Sequence, residues 1–144
     1  MKVEKSFGPL LSNYEVLELL REQEAYQKSV PKDQSQVDEN VQTIRFEALK
    51  YLQDSPCSVQ NATAINKAIT KLNEYKLTKA EKLQIINYKP RSPVDLHTLI
   101  EECEERFNEE QMDGIISLVE STLPAFKYKY ELELEAEAEE EVEE

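Results

Sequence analysis

Only two glycines, Gly8 and Gly114, occur in the 144 residues of this chain, and neither has another glycine near it. Barrels, tight-turn folds and phosphate-cradling loops depend on glycine's tolerance of positive φ, so they are largely closed to such a sequence. Neither GxGxxG nor GxxxxGK[ST] is present, which removes the common nucleotide-binding loops. Helix remains the accessible class, in keeping with abundant leucine, glutamate and lysine and no tryptophan. The one strand-like alternation is FKYKYELELEAE from Phe126, and its glutamates favour a solvated tail over an edge strand. The expected fold is all-α: a small helical bundle of one domain, without internal repeats.

Helix starts are written clearly. Ser12-Asn13-Tyr14-Glu15 has the capping-box form and predicts a helix to about Lys28. Its apolar residues Val16, Leu17, Leu19 and Leu20 crowd the first half, and REQEAYQKS in the second half is polar. A polar loop, 29–40, then separates an N-terminal arm from the body. Val41, Ile44, Ala48 and Leu52 recur at helical spacing until Asp54-Ser55-Pro56 ends the run. A third helix after Asn61 places Ala62, Ile65, Ile69 and Leu72 on one face. Thr78 to Glu81 form a second capping box, opening a helix with Leu83 and Ile86 inward that Pro90 stops. Ser92 as N-cap, Pro93 at the first helical position and Asp95 in the first turn start a fifth helix, with Leu96, Leu99, Ile100 and Cys103 as its stripe. Asn108 caps a sixth helix carrying Met112, Ile115, Ile116 and Val119, closed by Leu123-Pro124. The predicted organisation is an arm and loop at 1–40, a helical body at 41–125 and an acidic, disordered tail at 126–144.

Charge narrows the partners. The chain carries a formal −13, and residues 131–144 alone hold nine glutamates and no basic residue. An acidic body repels phosphate backbones, so nucleic acid is expected to be reached only through a partner that supplies the basic surface. The densest basic stretch, Lys67 to Lys82, has five lysines and no arginine, with Tyr75 and Tyr88 as the nearby aromatics. A groove that binds nucleic acid usually adds arginine and aromatic stacking. No apolar run reaches the ~20 residues of a membrane span, and the start MKVEKSFGPLL lacks the apolar core of a signal peptide. Two cysteines 46 residues apart, with no CxxC pair, suit a reducing compartment.

No catalytic, cofactor or metal constellation is expected. His97, the single histidine, lies off the apolar face of its helix and has no co-ligand at metal spacing. Cys103 falls on an apolar stripe and Cys57 follows a proline, both in structural roles. The EECEER run at Glu101–Arg106 is expected to be a solvated helix face, since the calcium-loop pattern with its central glycine is missing. Asn61-Ala62-Thr63 matches a glycosylation sequon, but helix capping by Asn61 explains it better in a chain without a secretory signal. The strongest functional signal is the first helix. Leu10, Leu11, Tyr14, Val16, Leu17 and Leu20, with Leu19, surround most of its circumference, where a helix lying on its own domain needs one stripe. That surplus marks Leu10, Leu11, Tyr14, Val16, Leu17 and Leu20 as partner-binding residues.

LLSNYEV at Leu10–Val16, ALKYL at Ala48–Leu52, KLTKAEKLQIINYKP at Lys76–Pro90 and EECEERFNEEQ at Glu101–Gln111 together resemble the small stalk subunits of RNA polymerase III. That family is also called calcitonin gene-related peptide receptor component protein, and is similar to the fourth subunit of RNA polymerase II and to its counterpart in the archaeal enzyme. The resemblance covers about residues 10–124, and implies a bundle of the type found in RecQ helicases and ribonuclease D, the HRDC-like fold. It implies that the LLSNYEV segment docks a larger stalk subunit carrying an OB-fold, that the pair joins the polymerase core in the nucleus, and that it aids the initiation factor. It further implies no active site and no cofactor in this subunit, and contact with RNA only through the partner. Two other classes compete with it: a helical domain that binds nucleic acid itself, and a cytosolic receptor-associated adaptor.

Overall fold

The computed structural model describes residues 8–30 and 38–143. Of the irregular start expected from Val3 to Leu11, residues 8–11 are described and carry no regular structure, while the rest of it and most of the polar loop 29–40 lie outside the described residues. Among the described residues, every regular element is helical. α1 (Asn13–Ser29) and α2 (Glu39–Gln53) form an antiparallel hairpin, and a 3-10 turn (Pro56–Val59) leads into the body. The body holds α3 (Ala62–Leu72), α4 (Lys79–Tyr88), α5 (Pro93–Leu99), α6 (Cys103–Arg106) and α7 (Glu109–Thr122), and α8 (Lys129–Glu143) follows.

The caps form as the sequence predicts. Ser12, Thr78, Ser92 and Asn108 each accept a hydrogen bond from the N3 amide of their helix, and the N3 side chain returns to the cap amide. Each reciprocal pair satisfies two amides that a helix start otherwise leaves orphaned. Asn61 accepts from Ala64 N at 2.9 Å and caps α3. Lys89, in the left-handed region at φ 54, ends α4 ahead of the buried Pro90.

Two apolar clusters result. The larger joins α3, α4, α5, α6 and α7 around Leu72, Ile85, Leu96, Ile115 and Val119, all nearly inaccessible to water. The smaller consists of Leu17, Leu49, Leu52 and Cys57, so the first helix is sewn to the body and is not a free arm. Tyr14 packs against both clusters. Two long-range hydrogen bonds support this seam: Asn13 N donates to Asn87 Oδ1 at 2.9 Å, and buried Gln60 Nε2 donates to the Ile86 carbonyl at 2.8 Å. Gly114 is explained by a close approach, since a Cβ there would stand 2.7 Å from the Tyr75 hydroxyl.

Several expectations are corrected. Val41 and Ile44, counted as an inward stripe, are exposed, because the core meets α2 only at Leu49 and Leu52. Ile69 sits at the rim of its face, with Ala68 buried instead, and in α4 it is Ile85 beside Ile86 that fills the core while Leu83 is half-buried. The predicted fifth helix is two segments. Ile100 is extended and Glu102 is left-handed at φ 50, and this reversal brings Cys103 and Phe107 into the core that holds Leu96 and Ile100. The tail is neither strand nor unstructured from Lys129 on, but helical.

The start of α8 is anchored. Arg91 grips the Glu131 carboxylate with both terminal nitrogens, at 2.6 and 3.2 Å, donates to the Phe126 carbonyl at 3.3 Å, and lies over the Tyr128 ring. Lys89 Nζ donates to the Pro124 carbonyl at 2.5 Å. The guanidinium holds the Glu131 carboxyl below the usual carboxylate range. Replacing Arg91 by alanine is expected to speed amide exchange at Glu131 and Leu132 several-fold and to leave exchange in α7 unchanged. Equal protection in both proteins would show that the helix start needs no anchor.

Candidate partner-docking surface

The two cysteines lie in different apolar clusters. Cys57 donates to the Leu52 carbonyl at 3.3 Å and Cys103 approaches Met112 Sδ at 3.7 Å. Burial pushes both thiols up, away from the thiolate that a nucleophile requires. His97 is exposed, with Nδ1 3.9 Å from Glu104 Oε1. No cluster of potential metal ligands occurs among the described residues. No helix among them is long and apolar enough to cross a membrane.

Apolar surface left uncovered is the feature that stands out. Leu10 is 75% exposed and Leu11 46%, on the segment leading into α1. Tyr14, Val16 and Leu20 are half-buried against the small core, each with one edge open. Leu17 departs from the predicted set: it is fully buried among Leu49, Leu52 and Cys57, and its side chain is unavailable to any partner while the hairpin is folded. The six residues therefore divide. Leu10 and Leu11 are free, Tyr14, Val16 and Leu20 are shared, and Leu17 belongs to the chain's own core.

The hairpin supplies residues that the sequence pattern did not single out. Its core lies entirely in the near half, where the first turns of α1 meet the last turns of α2. In the far half, from Arg21 to Ser29 on α1 and from Glu39 to Ala48 on α2, no side chain is buried. An Arg45–Gln27 hydrogen bond ties the two helices there. Yet this half carries Tyr26, Ile44 and Phe46, exposed by 73, 69 and 64%. Large apolar side chains presented on a two-helix lever without a core are typical of a surface completed by another protein. The available signal was Phe46 itself, which falls two positions out of register with Ile44 and cannot share an inward stripe with Leu52.

Comparison with known proteins agrees on one family. Residues 10–123 match the family model described as RNA polymerase Rpb4. The DNA-directed RNA polymerase III subunit rpc9 of Schizosaccharomyces pombe is 38% identical over 129 residues, which is 86% of this chain and 100% of that protein. The rpc9 subunit of Dictyostelium discoideum is 29% identical over 116 residues, covering 76% of this chain and 82% of the relative. The RPC9 subunit of Saccharomyces cerevisiae is 45% identical over a shorter stretch of 51 residues, 35% of this chain and 32% of the relative. The family match runs from the free leucine pair through the last helix of the body, and the chain belongs to the RNA polymerase Rpb4 family.

Proposed function

We propose that the chain is a non-catalytic small stalk subunit of RNA polymerase III, and that it attaches through the leucine pair Leu10–Leu11 and the far half of the α1–α2 hairpin to a larger, OB-fold-bearing stalk subunit. The relatives named as RNA polymerase III subunits support the assembly. The observation that carries the docking surface is the exposure of Tyr26, Ile44 and Phe46 on a hairpin half with no core beneath it. Burying three such side chains stabilises a complex by several kcal/mol before the costs of association, at roughly 1.5–3 kcal/mol for each large apolar group. Tyr14, Val16 and Leu20 form the edge where this surface meets the chain's own core. The formal charge of −13 leaves RNA contact to the partner's OB-fold, whose basic and aromatic face is suited to single strands. On this reading the chain works in the nucleus, and the pair presents surface to the initiation factor.

The test is co-purification. Ile44→Glu with Phe46→Glu, in a tagged chain, is expected to abolish recovery of the polymerase while circular dichroism and Tm of the isolated chain stay close to those of the unaltered protein. Full recovery of the polymerase by the double variant would remove the hairpin from the docking surface.

A further inference from the structure

A second uncovered surface lies on the body side of the seam. The segment Pro9–Leu10, α3 and α4 border a groove of about 740 Å³, floored by Tyr14, Ile65, Ile69, Leu83 and Ile86. Asn66, Asn73, Lys79 and Lys82 stand at its margin. The lining carries two lysines against one carboxylate, Glu15, so the groove is net positive on a molecule of formal charge −13. Residues 62–82 contain five lysines (67, 71, 76, 79 and 82) against two glutamates, and α3 contains no acidic residue. One of those glutamates, Glu81, is already neutralised by Arg106 at 2.5 Å. Among the described residues none of the five lysines takes part in an ion pair, as is also true of Arg45, Lys50 and Lys89, whereas Arg21, Lys28, Arg91, Arg106, Lys127 and Lys129 do. Lys82 Nζ meets only the Asn73 side-chain oxygen, at 2.6 Å.

We infer that this groove receives an acidic amphipathic helix of another protein, with apolar anchors entering between α3 and α4 and carboxylates meeting Lys79 and Lys82. The floor explains the anchors: it is aliphatic, with Ile65, Ile69 and Leu83 along it, and it suits side chains spaced at i, i+3, i+4 and i+7. The rim explains the charge: unpaired ammonium groups beside a low-dielectric floor attract carboxylates and repel a basic helix. Single-stranded nucleic acid is the other polyanion that such lysines could meet. It is disfavoured because bases need flat rings or arginine planes to stack on, and this groove offers Tyr14 alone and no arginine. The groove shares Leu10 and Tyr14 with the edge of the proposed docking surface but no residue with the far half of the hairpin, so its α3 and α4 walls stay open when that half is covered.

The experiment uses the full chain with isotope-labelled isoleucine and leucine methyl groups. The probe is a short synthetic helix with leucines at the four anchor positions and glutamates elsewhere. The expected result is a shift of the Ile65, Ile69 and Leu83 methyl signals, with Ile44 unmoved, and binding that weakens as salt is raised. Lys79→Glu with Lys82→Glu, both surface changes, should weaken binding about tenfold. Ile69→Glu, at a position already 37% exposed, should do the same without unfolding the chain. The same helix with lysines in place of glutamates should not bind. Equal binding of both helices, unmoved groove methyls, or displacement of the acidic helix by a single-stranded oligoribonucleotide would each overturn the inference. Self-association of the chain that vanishes on deleting 131–144 would also overturn it, because the occupant would then be the chain's own glutamate tail.

Discussion

Leu17→Ala is expected to destabilise the chain by roughly 3 kcal/mol, lowering Tm on the order of 10 °C, whereas Leu10→Ala changes neither. The two residues stand seven apart on the same leucine-rich segment, and composition does not distinguish them. Their surroundings do. Leu17 has no exposed surface and fills the small cluster with Leu49, Leu52 and Cys57, which α1, α2 and the 3-10 turn close from three sides. Removing its branched end leaves a void that helices held by Asn13–Asn87 and Gln60–Ile86 hydrogen bonds relax into only partly. Leu10 has three quarters of its surface in water and loses little on truncation. Thermal denaturation followed by far-ultraviolet circular dichroism checks both. A Tm for Leu17→Ala within a degree or two of the unaltered protein would mean that the small cluster contributes little, and that α1 is after all a detachable arm.

This contrast shows where the sequence stops being informative. The caps were legible because a capping box is a local bargain between residues three apart, and Ser12, Thr78, Ser92 and Asn108 each formed one. The all-helical class was legible because so few glycines leave few alternatives. The inward stripe of α7 was legible as well, since that helix is packed along its length and Met112, Ile115, Ile116 and Val119 are all buried. Periodicity states which residues share a face, but not whether anything covers that face. Val41 and Ile44 obey the helical period and are nevertheless bare, because the body ends before it reaches them. The break between α5 and α6 was hidden for a related reason. Leu96, Leu99, Ile100 and Cys103 fit a continuous helix, but a left-handed Glu102 is tolerated because it brings Phe107 inward too, a gain that only the tertiary core reveals. The glutamates of the tail read as solvated chain, and the helix from Lys129 begins at a contact between Arg91 and Glu131 that joins residues 40 apart and left no local trace.

The ion pair between Glu81 and Arg106, 25 residues apart, is the other contact that no pattern announced, and it sets the second large expected effect. Arg106 belonged to an acidic run that looked solvated. Instead its guanidinium takes both carboxylate oxygens of Glu81, at 2.5 and 3.1 Å, and reaches the Lys76 and Glu101 carbonyls at 2.7 and 2.9 Å. One side chain thereby clamps the start of α4 to α6, while Glu81 also completes the Thr78 cap. The Arg106 hydrogen bonds, helped by those from Thr78 and opposed by burial, bring the Glu81 carboxyl down to about 2. A depressed carboxyl contributes stability that is present above its unfolded value, near 4.5, and is lost as pH falls through the folded one. Glu81→Gln keeps the shape and the capping amide oxygen but removes the charge. Water reaches the guanidinium side of the pair, which reduces the effect below the full linkage value to about 2 kcal/mol near neutral pH. The difference between the two proteins in urea denaturation is expected to hold steady above pH 5, to shrink from about pH 4.5 downwards and to vanish near pH 2. A difference that persisted unchanged into acid would show that the glutamate acts through packing, not through its charge.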